Sequence, residues 1–181
     1  MHWLNFKRYK SDVAKQAVPP HLNAAEFARH YADKPQADTE EYLSLSGEMC
    51  WDAVVLCAHR SGALSKAKYK QLWQTVFDKQ YKHFVSPDDT EIRTMADMLR
   101  APQGCFIGIF SLRDATAPRL LHAMIGTGAG FAAGNKNLCI GVGGAVGWEN
   151  LNLARDLRWQ PAGGFLRQGD NEVLRIFYRP F

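Results

Sequence analysis

Cys50, His122 and Asn137 are the three residue types a thiol hydrolase needs: a sulfur nucleophile, an imidazole that takes and returns its proton, and an amide that orients the imidazole. Cys50 falls in the first turn of Ser46-Gly-Glu-Met-Cys-Trp-Asp-Ala-Val-Val-Leu-Cys-Ala-His-Arg-Ser-Gly62. This segment reads as a helix with a Ser cap, an acid in the first turn, an apolar middle, an Arg near the end and a Gly stop. Unpaired backbone N–H groups and the helix dipole favour negative charge at such a position, so they favour thiolate. Cys57, about two turns further along and flanked by Val54 and Ala58, reads as core.

His122 lies in Leu120-Leu-His-Ala-Met-Ile-Gly-Thr-Gly128. Strand alternation puts Leu120, His122, Met124 and Gly126 on one face and Leu121, Ala123 and Ile125 on the other. A strand holds an imidazole within reach of sulfur more firmly than a loop does. The other histidines are weaker candidates: His2, His21 and His30 lie in a polar N-terminal stretch, His59 is late in the Cys50 helix, and His83 precedes a Pro turn. Asn137 is the first choice as the group that orients the imidazole, opening the next strand, with Asn135 in the preceding turn as the alternative. Either Asn in Gly134-Asn-Lys-Asn137 also suits the left-handed geometry of a hairpin turn.

The elements that must hold these groups change period along the chain. Residues 1–45 are polar and broken by Pro19-Pro20 and Pro35, with a short helix near Ala24 to Tyr31, and read as a lead-in or arm. Residues 46–181 read as the catalytic domain. After the Cys50 helix, Leu72, Trp73, Val76, Phe77 and Tyr81 recur at helical spacing over Tyr69 to Phe84, and Thr90 to Arg100 offers a shorter helix. From Gly104 onward come short apolar runs divided by Gly and Asn turns, the last of them Leu138 to Gly144. Helical turns are expected around Trp148 to Leu157 and a final strand over Val173 to Tyr178. Helices first and antiparallel strands second is an α+β pattern, with N-terminal helices carrying the Cys packed on an antiparallel sheet carrying the His.

Composition bounds what such a chain does. At 181 residues, 46% hydrophobic and 12% aromatic, it suits one sizeable core. The net charge of +4 is spread along the chain without a dense Lys/Arg run, so nucleic acid is not an expected partner. No apolar stretch approaches the ~18 residues of a membrane span, and Met1 to Lys10 carries charge where a signal peptide needs an apolar run. Synthesis in the cytoplasm without a cleaved leader is the expectation. The four cysteines read as free thiols, and no CxxC, HExxH or clustered ligand spacing calls for a metal or any other cofactor. Gly141-Val-Gly-Gly-Ala-Val-Gly147 has the glycines of a dinucleotide loop, but only about 34 residues follow and the strands before it read as hairpins. A loop beside the cleft is the preferred reading.

Cys50-Trp51 opening a helix, the later His122-Ala-Met-Ile-Gly126 strand, and the strand Gly104-Cys-Phe-Ile-Gly-Ile-Phe110 before it resemble the papain-like cysteine peptidase superfamily, including NlpC/P60-like and C39-like members. The resemblance covers roughly residues 42–142 and implies a papain-like fold. It also implies an acyl-thioester route to amide hydrolysis, on protein or peptidoglycan, with an immunity or inhibitor protein as a further partner. Small domains of this type resemble bacterial toxins or effectors delivered into another cell. The family's upstream oxyanion Gln has no counterpart here: Ser44, Ser46 or Tyr42 substitutes, or the second donor is backbone. The same resemblance admits a glutamine deamidase, or a non-catalytic binding domain on the same scaffold.

Overall fold

The computed structural model describes residues 19–77, 83–114 and 116–181. Residues 1–18 of the expected lead-in, and residues 78–82 within the helix expected over Tyr69 to Phe84, lie outside the described residues.

Helix α1 (Pro20–Ala32) starts with Pro, whose missing N–H costs nothing in a first turn. It buries Ala24, Ala25 and Ala28, small side chains that let the helix backbone come close to its neighbours. The buried Trp148 indole Nε1 donates to Ala28 O at 2.8 Å, which binds α1 to the sheet. The part of the expected lead-in that is described is therefore packed into the core.

Helix α2 (Glu40–Gly47) begins where the Thr39 side chain accepts from Tyr42 N–H, with Glu40 and Glu41 in its first turn. The single helix expected from Ser46 is two. Glu48 and Met49 are extended, Ser46 belongs to α2, and α3 (Cys50–Arg60) starts at the cysteine itself, with Met49 giving no side-chain cap. An Arg60–Glu41 ion pair joins the far end of α3 to the start of α2. Helix α4 (Lys66–Phe77) follows.

The expected helix over Thr90 to Arg100 also divides. Thr94 and Asp97 form a capping box that starts α5 (Met95–Arg100), while β1 (Thr90–Ile92) pairs with the C-terminal strand. Strands β2 (Cys105–Ser111), β3 (Arg119–Gly128) and β4 (Phe131–Asn135) form as expected. Leu138 to Gly144 does not: a 3-10 turn, Asn137–Ile140, and a glycine loop take its place, so Asn137 opens a turn rather than a strand. Left-handed Lys136, at φ 52°, turns the chain off the sheet there. Trp148 to Asn152 is strand β5, and helix occurs only in α6 (Leu153–Asp156). Strands β6 (Arg158–Trp159), β7 (Phe165–Leu166) and β8 (Val173–Pro180) close the chain.

The eight strands form one antiparallel sheet in the order β5-β4-β3-β2-β8-β7-β6, with β1 also paired to β8. The molecule is α+β. Its sheet is covered on both faces. Val54, Cys57 and Ala58 of α3, with Ala28 and Leu45, pack on Phe106, Phe110, Ala123, Ile125 and Phe177. Met98, Ile140, Leu153 and Leu157 pack on Ile107, Ile109, Met124 and Ile176 from the other side. Every residue of β2 is consequently buried, which is why its sequence shows no polar alternation. A bulge in β3 pairs Ile109 with His122 but Phe110 with Leu120, leaving Leu121 extra. Leu120 therefore joins the face of Ala123 and Ile125, and Leu121 joins that of Met124, the reverse of strict alternation.

Candidate active site

Strand β4 pairs with β3 only from Ile125 opposite Ala133, so His122 and Ala123 have no strand on that side. The start of α3 and the Asn137–Ile140 turn come up against β3 there. Trp51 anchors the helix start, packing edge-on against Phe84 at 4.5 Å and lying 6.2 Å from Phe106 of β2. Cys50 is half-buried, and its sulfur receives the backbone N–H of Ala123, one peptide unit from His122.

His122 is fully buried, and its Nε2 lies 2.9 Å from Asn137 Oδ1. Its Nδ1 is buried and hydrogen-bonded to no protein atom, Cys50 Sγ included. Asn135, the alternative orienting group, faces elsewhere: its Nδ2 donates to Leu45 O at 2.8 Å and Glu48 O at 2.7 Å. Lys136 Nζ also donates to Glu48 O at 2.7 Å. The tripeptide Asn135-Lys-Asn137 thus grips the bend before Cys50 with its first two side chains and the imidazole with its third. Asn135→Ala leaves Leu45 O without that donor and loosens the bend, and is expected to lower unfolding free energy by about 2 kcal/mol in urea titrations.

The electrostatics differ from the simple helix-start expectation. Burial pushes the Cys50 thiol above its ordinary pKa. The N–H groups of Ala123 and Trp51 pull it down, Asp52 pushes it up, and Lys136 pulls it down, with burial the largest influence. Burial likewise lowers His122 from 6.5 to about 4, against the bond to Asn137, which raises it. At neutral pH the pair is a thiol and a neutral imidazole rather than thiolate and imidazolium. Cys57 is fully buried and its thiol is pushed up strongly, first by burial, in keeping with a core role. All four cysteines are free.

Among the described residues, the buried side-chain polar atoms without a hydrogen-bond partner are Ser46 Oγ, Trp51 Nε1, His122 Nδ1 and Asn135 Oδ1. Two belong to the chain around Cys50 and two to β3 and the Asn135–Asn137 segment, and buried unpaired groups of this kind are rare. Glu149 is a further neighbour: its Oε2 accepts from Asn137 Nδ2 at 3.0 Å and from Gly144 N–H at 2.7 Å. The helical turns expected around Trp148 to Leu157 hide this neighbour, because the Glu149–Asn137 contact depends on β5 being a strand. Gly141 to Gly147 forms the loop that covers this corner. Open depressions lined by Arg113 and Arg175, or by Arg29 and Gln103, contain none of Cys50, His122 and Asn137. No set of three or more potential metal ligands gathers among the described residues, and no helix among them is long and apolar enough to cross a membrane. No protein-family model, curated protein or solved structure matches the chain.

Proposed function

We propose that the protein is a cysteine-dependent amide hydrolase of papain-like arrangement, with Cys50 as nucleophile, His122 as general base and acid, and Asn137 as the group that orients the imidazole. The observation that carries this reading is a buried imidazole whose Nε2 is held by Asn137 and whose Nδ1 is unpartnered, on the residue that precedes Ala123, whose backbone N–H meets the Cys50 sulfur at a helix start. This reading requires a movement of the imidazole or the thiol that brings Nδ1 to the sulfur when substrate enters.

As the sulfur attacks an amide carbonyl, His122 Nδ1 takes the thiol proton, so no free thiolate is required beforehand. The C–S bond forms and the carbonyl π pair moves to oxygen, which meets the N–H groups at the start of α3. Ser46 Oγ, buried and unpartnered, is the strongest of the three upstream side chains as a second donor. Collapse breaks the C–N bond, and the proton on Nδ1 goes to the leaving amine. Water then attacks the thioester, giving its proton to Nδ1, and the returning proton frees the thiol and a carboxylic acid.

Protein and peptidoglycan amides are both substrates of this chemistry, and an effector role would suit either. The test is incubation of wild type and Cys50→Ala with cell lysate and, separately, with purified peptidoglycan. New amino termini or released amines are expected with wild type alone and in one substrate only. Ammonia release without new termini assigns a glutamine deamidase, and identical products from wild type and Cys50→Ala reject the hydrolase.

A further inference from the structure

We propose that Glu149 is a positioning residue for the Cys50–His122 pair, holding the Asn137 amide in the orientation that leaves His122 Nδ1 as the basic nitrogen. The proposal rests on the hydrolase reading above and adds to it a residue outside the Cys-His-Asn set. Asn137 Nδ2 has two acceptors, Gly134 O and Glu149 Oε2, each at 3.0 Å. A carbonyl and a carboxylate have no hydrogen to give, so only the amide nitrogen of Asn137 satisfies them. Its oxygen is thereby turned to His122 Nε2 at 2.9 Å, and an oxygen there accepts only from a protonated Nε2. The neutral ring then carries its lone pair on Nδ1.

The two acceptors come from one rung of the sheet, since Gly134 of β4 pairs with Glu149 of β5. The carboxylate is fixed from the other side by Gly144 N–H at 2.7 Å. The glycine loop lies directly on it: a Cβ at Gly143, where φ is +69°, would come within 2.7 Å of Glu149 Oε2 and 3.0 Å of Asn137 Cβ. Glu149 therefore links the loop, the amide and the imidazole in one chain of hydrogen bonds. Gln at this position keeps an oxygen for Gly144 N–H and Asn137, whereas Leu keeps neither acceptor.

The experiment combines ¹⁵N NMR of histidine-labelled protein at pH 7 with the rate of Cys50 alkylation by iodoacetamide, the His122 signals being assigned by their loss in His122→Gln. In wild type, Nε2 is expected as the protonated nitrogen and Nδ1 as the bare one. Glu149→Leu is expected to populate both tautomers and to slow alkylation about tenfold, part of what a general base contributes. Glu149→Gln is expected to restore both readings, which a purely structural role would not require. Glu149→Ala serves the same comparison if the Leu variant does not fold. A folded Glu149→Leu or Glu149→Ala that keeps His122 wholly in the Nε2-protonated form overturns the proposal. Alkylation that is unchanged even in His122→Gln, with the tautomer still dependent on Glu149, overturns the base role of His122 while leaving the positioning contact intact.

Discussion

Cys50→Ala is expected to abolish the proposed amide hydrolysis, and His122→Gln is expected to lower its rate by about 10³-fold or more, from what a general base contributes. The size of the second effect follows from burial. The Cys50 thiol is held above its ordinary pKa, so little thiolate exists at pH 7 without a base to remove the proton during attack. Gln fills much of the imidazole volume and offers an N–H toward Asn137 Oδ1, but it has no basic nitrogen. The two substitutions remove parts of one unit, so the double variant is expected to be no slower than Cys50→Ala alone. Initial rates of amine release, with circular dichroism to confirm folding, check this. A His122→Gln variant within a fewfold of wild type would exclude the imidazole from the chemistry.

Much of the site's neighbourhood was legible because local patterns specify it. Cys50 at a helix start and His122 on a strand follow from period 3.6 changing to period 2, and both elements form. Their partners followed less well. The break at Glu48-Met49 comes from no Gly or Pro at those positions, and depends on Asn135 and Lys136, some 87 residues away, meeting Glu48 O. The bulge at Leu121 reverses the faces of two leucines and has no signature in an apolar run. Leu138 to Gly144 has the composition of a strand, yet Lys136 and Gly141 are left-handed and take the chain away from the sheet as a 3-10 turn. The sequence places Asn137 at one end of that segment, whichever form it takes, so its neighbourhood to His122 did not hinge on the strand. Glu149 did, because an expected helix would have turned it away from β4. Long-range pairing, rather than propensity, decided each of these cases.

Acidification weakens the fold through the same imidazole. His122 titrates at 6.5 when unfolded and at about 4 in the native protein, because burial opposes its charge. Above pH 6.5 both states hold the ring neutral and it contributes no pH dependence. Between pH 6.5 and 4 the unfolded chain binds a proton that the native protein refuses, so native stability falls throughout that window. The lowering from 6.5 to about 4 corresponds to about 3 kcal/mol once pH has dropped to 4. Carboxylates add an acid sensitivity of the opposite origin: Asp97, Asp114 and Asp170 sit below their ordinary pKa, first through side-chain bonds from Thr94, Thr116 and Arg167, and lose that stabilisation as they protonate. Those groups are unchanged in His122→Gln, so the difference between the two proteins isolates the imidazole. Urea unfolding at pH 7.5 and pH 4 is expected to show wild type losing about 3 kcal/mol more than His122→Gln, within the scale set by the shift. The rate profile answers to the native value instead: hydrolysis by the folded protein should persist below pH 6 and fall only near pH 4, where Nδ1 is no longer free to accept. An activity midpoint near 6.5 together with equal acid sensitivity in the two proteins would place His122 in contact with solvent and remove the buried base from the mechanism.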